Sequence, residues 1–172
     1  MHVRNIHSRD FDAEPEMLGT LLDTLAGPDD RIWPATNWPK MRFDRPLSVG
    51  ARGGHGPIRY DVESYESGRS IVFRFTAPRG FDGTHSFFVE RLTKGARLTH
   101  LLVMETSGRA MFSWAFIFRP LHDALVEEAL DRAAEAVGEA LAAPPWSLYV
   151  RMLRAIVTRR RARGEGSRGT RR

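Results

Sequence analysis

Two periodicities divide the chain. Between residues 58 and 105 apolar and polar positions alternate, as half-buried strands require, and between 111 and 140 apolar positions recur at helical spacing. IRYDVESY (58–65) puts Ile58, Tyr60 and Val62 on one face and Arg59, Asp61 and Glu63 on the other. A turn at Ser67-Gly68 leads into SIVFRFTA (70–77), where Ile71, Phe73 and Phe75 share a face. THSFFVERLTKGARLTHLLVME (84–105) folds back at Lys94-Gly95. One of its faces carries Phe87, Val89, Leu98, Leu102 and Met104, together with His85 and His100. Pairing Tyr65 with Ser70 sets Val62 opposite Phe73 and Tyr60 opposite Phe75. Pairing Leu92 with Arg97 sets Val89 opposite His100 and His85 opposite Met104. Both registers keep the apolar sets on one side, as an antiparallel sheet with one buried face demands. On the solvent side, Asp61 and Arg74 are expected to face each other as a surface pair.

Flanking segments complete the pattern. HVRNIHSRDF (2–11) predicts a first strand, and Met17, Leu18, Leu21, Leu22 and Leu25 predict a helix entered at Pro15 and ended by Gly27-Pro28. Asp29 or Asp30 is placed to cap a short turn before Trp33-Pro34. TNWPKMRF and RPLSVGARGGHG, punctuated by Pro and Gly, predict short or bulged strands and turns, with His55 exposed. Met111, Ala115, Phe118, His122, Leu125, Val126, Ala129, Ala133, Ala136, Val137 and Ala140 form one helical stripe, with Asp123, Glu127, Asp131 and Glu135 behind it. Pro120 falls on the outer face, where a lost hydrogen bond would kink the helix. The alternation of Ala110, Phe112, Trp114, Phe116 and Phe118 also permits a seventh strand over 110–118, with the helix starting near Pro120. The expected fold class is α+β: a curved antiparallel sheet of six or seven strands wrapped round a long C-terminal helix, with one or two short helices after strand 1. Such a sheet and one helix lined with Ala129, Ala133 and Ala136 leave a hollow between them.

Composition changes this picture in three ways. The 172 residues suit one domain with a real core, and the absence of cysteine excludes disulfides, thiolate metal sites and cysteine nucleophiles. MHVRNIHSRDF lacks the apolar run of a signal peptide, and AMFSWAFIF (110–118) is too short to span a bilayer, so a cytoplasmic protein is expected. The net charge of +5 conceals an asymmetry: residues 146–172 hold nine arginines and one glutamate, whereas 1–145 hold 17 basic and 20 acidic groups. Pro144-Pro145 marks a boundary between a body (1–143) and a basic segment (144–172). In that segment Trp146, Tyr149, Val150, Leu153, Ile156 and Val157 form the stripe of an amphipathic helix over about 146–158, and a disordered tail is expected beyond it. The helix suits docking on the body, an anionic membrane surface or a partner, and the arginines suit weak nucleic-acid contact. Removal of residues 146–172 is expected to leave ligand binding by the body intact. Val72, Phe88, Leu101 and Val103 point outward and predict an apolar patch for a homodimer or for this segment.

The order of elements over residues 1 to about 141 resembles the START-like, or SRPBCC, superfamily with its helix-grip fold. RIWPATNWPKMRF, VGARGGHGPIRY, GFDGTHSF and RPLHDAL resemble a bacterial subgroup of it. The resemblance implies a deep apolar pocket between sheet and long helix. Members bind lipids, sterols, polyketides or hormones, and some cyclise or dehydrate polyketides. No catalytic residue carries over by position. In such a fold Tyr60, Phe73, Phe75, Phe87, Leu102, Met104 and Phe118 would form the wall, and His85, His100 and His122 would look into one space. Those histidines read in three ways: satisfied core groups, polar anchors for a small hydrophobic ligand, or acid-base or metal groups. Three histidines and a water would suit zinc, but no HxH or HExxH spacing is present. GARGGHG (50–56) matches neither GxGxxG nor a Walker loop, and Trp33 and Trp38 cap the core or stack at a pocket rim.

Overall fold

The computed structural model describes residues 1–139 and 145–166, with side chains through Val157. Seven strands form one antiparallel sheet: β1 (His2–Phe11), β2 (Arg42–Phe43), β3 (Arg52–His55), β4 (Ile58–Glu66), β5 (Ser70–Ala77), β6 (Phe81–Arg91) and β7 (Ala96–Thr106). Their order is β1-β7-β6-β5-β4-β3-β2, so β1 crosses over to pair with β7 and the rest is a meander. Helix α1 (Pro15–Asp23) follows β1. After β7, α2 (Arg109–Ser113), a π-helical turn (Trp114–Phe118) and α3 (Arg119–Ala136) run on without a break, and α4 (Leu148–Gly166) comes last. The segment 110–118 is therefore helical and supplies no strand.

The alternation places the inward face as expected. Tyr60, Phe73, Phe87, Leu98, Leu102 and Met104 are all almost wholly buried, each contributing on the order of 2 kcal/mol in transfer free energy. Val62 lies opposite Phe73 and Tyr60 opposite Phe75. A bulge between Val62 and Ser64 then shifts the ladder, so Tyr65 meets Ile71 and not Ser70. The second hairpin corrects the expected register by two residues. Arg91 pairs with Ala96, which sets Phe87 opposite His100 and His85 opposite Leu102. A slip of two returns every side chain to its own face, so alternation cannot detect it. Asp61 does lie opposite Arg74, but Arg74 turns to Glu63 instead.

The π turn accounts for another departure. From α2 into the start of this turn, Ala110 and Trp114 are buried while Met111 and Ala115 are exposed, a displacement of one residue from the simple helical wheel. The wider turn rotates the preceding residues out of the 3.6-residue phase. Pro120 sits in the first turn of α3 and has no N–H to offer the carbonyl of Phe116. That carbonyl accepts a hydrogen bond from Tyr149 Oη of α4 at 2.6 Å. α4 thus docks against the α2–α3 helix and not on the outer sheet face. Val72, Phe88, Leu101 and Val103 are half-buried on that face, and more exposed apolar side chains stand on the helices, among them Phe112, Phe116 and Leu148. α4 also continues to Gly166, past the end of its apolar stripe, since Arg and Ala favour helix without any packed face. Expectations for 140–144 and 167–172 lie outside the described residues.

α1 is fastened to the β4–β5 turn. Gly19 approaches Gly68 so closely that a Cβ would lie 2.2 Å from its carbonyl oxygen. Asp23 accepts hydrogen bonds from Tyr65 Oη at 2.9 Å, Ser67 Oγ at 2.7 Å and the Gly68 N–H at 2.9 Å. Asp23→Ala is expected to lower stability in urea unfolding by about 2 kcal/mol, because three donors lose a charged acceptor.

Candidate functional site

A cavity of about 390 Å³ lies between the sheet and the α2–α3 helix. Phe75, His85, Phe87, His100 and Leu102 line it from the sheet, and Trp114, Phe118, Leu121, His122, Leu125 and Val126 from the helices. Trp33, Trp38, Pro39 and His55 close it from the loop and β3 side. Tyr60, Phe73 and Met104, expected in the wall, do not line the cavity and are packed behind it. The small residues Ala129 and Ala133 are fully buried and lie off the cavity; the hollow opens at the other end of α3, beside His122 and Leu125. Small side chains let a helix approach its neighbours, so they close space there.

Five imidazoles run in one file. His55 Nδ1 is 3.0 Å from Tyr60 Oη, and the Tyr60 ring meets His85 edge-on at 4.7 Å between centroids. His85 and His100 approach within 3.4 Å between ring nitrogens. His100 lies 5.0 Å from His122, which lies 6.0 Å from His7, by ring centroids. At the His7 end the file meets carboxylates: Nδ1 is 2.6 Å from Glu127 Oε1 and Nε2 is 3.2 Å from Asp123 Oδ1. Beside them Arg9 pairs with Asp131 and Glu127. Asp123, Glu127 and Asp131, read as the outer face of the helix, therefore face the inward residues of β1. His85 Nε2, His100 Nδ1 and both nitrogens of His122 have no hydrogen-bond partner among the described residues.

Neither a family model nor a curated protein matches the chain by sequence. Solved structures do match. CalU16 from Micromonospora echinospora aligns with 14% identity over 90% of this chain and 83% of its own, with a TM-score of 0.55. The di-domain ARO/CYC StfQ of the steffimycin biosynthetic pathway aligns with 13% identity over 81% of this chain and 51% of its own, with a TM-score of 0.61. KanY aligns with 11% identity over 80% and 99%, with a TM-score of 0.59. The chain shares the fold of these proteins, a helix-grip arrangement of one antiparallel sheet against a long helix. Its long helix is the continuous α2–α3 element, and the grip is the face formed by β4 to β7.

In this helix-grip chain a further element touches the cavity. Arg154 and Val157 of α4 belong to its lining. The basic segment thus supplies part of the wall, a role the sequence reading does not give it. Arg154 stacks 3.7 Å above the Trp146 ring and 4.8 Å from the Trp38 ring. Trp38 Nε1 donates to Glu128 of α3 at 2.7 Å, and Asn37 to the same carboxylate at 2.5 Å. Asp30 caps the turn before Trp33 by accepting from the N–H groups of Ile32 and Trp33. That turn seats Trp33 4.7 Å from the His55 ring, which is half-buried and not exposed as expected.

Electrostatics follow from burial. Loss of hydration pushes His85 and His100 well below the ordinary imidazole value, with the other histidines adding to the effect. His55 falls to about 3 for the same leading reason. His122 is also lowered by burial, against the pull of Asp123. His7 goes the other way: burial works to lower it, and Asp123 and Glu127 together outweigh that and raise it. At neutral pH the cavity imidazoles are uncharged and able to donate or accept one hydrogen bond at each nitrogen.

The sequence reading offers Trp33 and Trp38 a pocket rim but does not assign His7, His55, Trp114, Leu121, Leu125, Val126 or Val157 to the site. The matching of Arg9 and His7 with acidic residues spaced four apart on the helix was the available signal for His7. Lowered folded-state values mean that acid favours the unfolded chain. Stability from His85 and His100 is present above the unfolded value of 6.5 and is lost as pH falls below it. Between pH 7 and 5.5 wild type is expected to lose about 1 kcal/mol for each of these two imidazoles, and a His85→Phe/His100→Leu variant much less, in urea unfolding at both pH values.

Proposed function

We propose that the protein binds a small, largely apolar, ring-bearing molecule in the cavity between the sheet and the long helix. One observation carries this reading: a cleft of about 390 Å³, walled by rings and aliphatic chains, ends in neutral imidazoles with unmet hydrogen-bonding capacity. That volume falls in the range of small-molecule sites, which pair apolar walls with a few placed polar groups. Phe75, Phe87, Leu102 and Phe118 supply contact area. His85, His100 and His122 supply polar contacts for a carbonyl or hydroxyl. Tyr60, Phe73 and Met104 hold the wall from behind. The ARO/CYC designation of the structural neighbour StfQ supports a polyketide-like or aromatic guest.

The adjacent neutral pair His85–His100 favours a second reading, a cyclase or dehydratase of polyketide-like substrates. Either imidazole would take a proton beside a carbonyl, given reach of about 3 Å. Turnover lost in His85→Gln and His100→Gln, with binding retained, would distinguish it from binding alone.

Trp33, Trp38 and Trp114 line the cavity, so a guest reports itself by quenching indole fluorescence. Titration with 1,8-dihydroxyanthraquinone is expected to quench saturably. Leu121→Trp, which fills the space, should abolish this, and His100→Leu should weaken affinity about tenfold through one lost hydrogen bond. Unsaturable quenching, or none of these losses, would sink the reading. Ending the chain at residue 144 removes Arg154 and Val157 from the wall, and stopped-flow dissociation of the same guest should then be several-fold faster.

A further inference from the structure

Where α3 crosses the edge strand β1, three side chains bring one ligand atom each to a common point. His7 Nε2 lies 3.2 Å from Asp123 Oδ1, and His122 Nδ1 lies 3.6 Å from the same oxygen. All three atoms fall within 4.8 Å of one another. The ligand atoms of a tetrahedral zinc ion, at about 2.0–2.1 Å from the metal, stand about 3.3 Å apart. The two short separations bracket that value.

The hydrogen-bond pattern behind His7 supports the same conclusion. Glu127 Oε1 is 2.6 Å from Nδ1, so the Nδ1–H donates to this carboxylate and, in the neutral ring, Nε2 presents its lone pair forward. A carboxylate holding the rear of an imidazole is the usual arrangement behind a metal-bound histidine. Nε2 then faces Asp123 Oδ1 at 3.2 Å, as a donor when the ring is protonated and as a second acceptor when it is neutral. The two atoms coexist at that distance only when a proton or another cation lies between them. His122 adds a further sign: its side chain is only 18% exposed, its Nδ1 stands 3.6 Å from Asp123 Oδ1, just beyond a full hydrogen bond, and its Nε2 has no partner among the described residues. A buried polar atom left so costs about 1–3 kcal/mol.

Neighbouring charges permit a dication. Arg9 is taken up by Asp131 and Glu127, and Arg119 stands 3.8 Å from the other Asp123 oxygen with its side chain 62% exposed. Asn5 donates to Asp123 Oδ1 at 2.9 Å and fixes the carboxylate. Asp123 and Glu127 together balance two positive charges.

We propose that His7, His122 and Asp123 bind a divalent transition-metal ion of the zinc class, with Glu127 as the positioning residue for His7. Two imidazoles and one carboxylate select zinc, cobalt, nickel or iron(II) over calcium and magnesium, which take oxygen. The site differs from a zinc on His85, His100 and His122, since it uses the carboxylate end of the file. His122 also lines the cavity, so the bound ion forms part of its wall.

The test is calorimetric titration of ZnCl₂ into the EDTA-treated full-length protein without any organic guest, so it is independent of what the cavity binds. One equivalent is expected to bind, with protons released as zinc displaces them from His7, and cobalt is expected to give the visible absorption of a four-coordinate site. His7→Gln and Asp123→Asn should each weaken zinc binding by at least about tenfold. Glu127→Gln, which can still accept from Nδ1, should weaken it by about tenfold as a lost outer partner does. His2→Gln, at the separate exposed pair with Glu105, should change nothing. No saturable uptake by wild type, or uptake unaltered in both His7→Gln and Asp123→Asn, overturns the proposal.

Discussion

The structure depends on how closely α3 can approach the rest of the protein. Its C-terminal half presents Ala129, Ala133 and Ala134, all fully buried, and its N-terminal half presents Leu121, His122 and Leu125. Alanine brings backbone to its neighbours and leaves no room. Larger side chains hold the helix off, and where imidazoles replace aliphatic chains the gap is not filled with carbon. The hollow is thus the result of graded side-chain size along one helix, set against a sheet whose inner face is fixed by alternation. Ion pairs from β1 to Asp123, Glu127 and Asp131 then hold the helix at that edge.

Burying five histidines in one file has a cost, and its form explains their chemistry. Desolvation penalises each charged imidazole, so those deepest inside are neutral at physiological pH. His7 escapes because two carboxylates stand against it. The file therefore has an end in the cavity where burial disfavours the charged ring, and an end at the sheet edge where two carboxylates favour it. One residue type serves as neutral hydrogen-bonding group and as charged partner, according to what surrounds it.

The sheet was legible because period-2 alternation states which face is buried. Val62 opposite Phe73 follows from it, and so does the placing of His85 and His100 inward. The two-residue slip of the β6–β7 hairpin was not legible, since both registers bury the same side chains. Turn geometry at Gly95 decides it, with a φ of +73° and Arg91 against Ala96. The inward face of β1 was hidden for a different reason: Asn5, His7 and Arg9 are polar and give no hydrophobic signal. Their complement lies more than a hundred residues away on the helix. The π turn and the docking of α4 depend on contacts between distant elements, which no local pattern records.

Pro120 leaves the Phe116 carbonyl without its helical donor, and the phenol of Tyr149 supplies one from α4. The same helix carries Val157 into the cavity wall. A backbone gap written by one proline thus becomes the tether of a distant helix. Displacing α4 would bare that carbonyl and open the cavity wall together, so a single hydrogen bond and a single packed edge stand or fall as one.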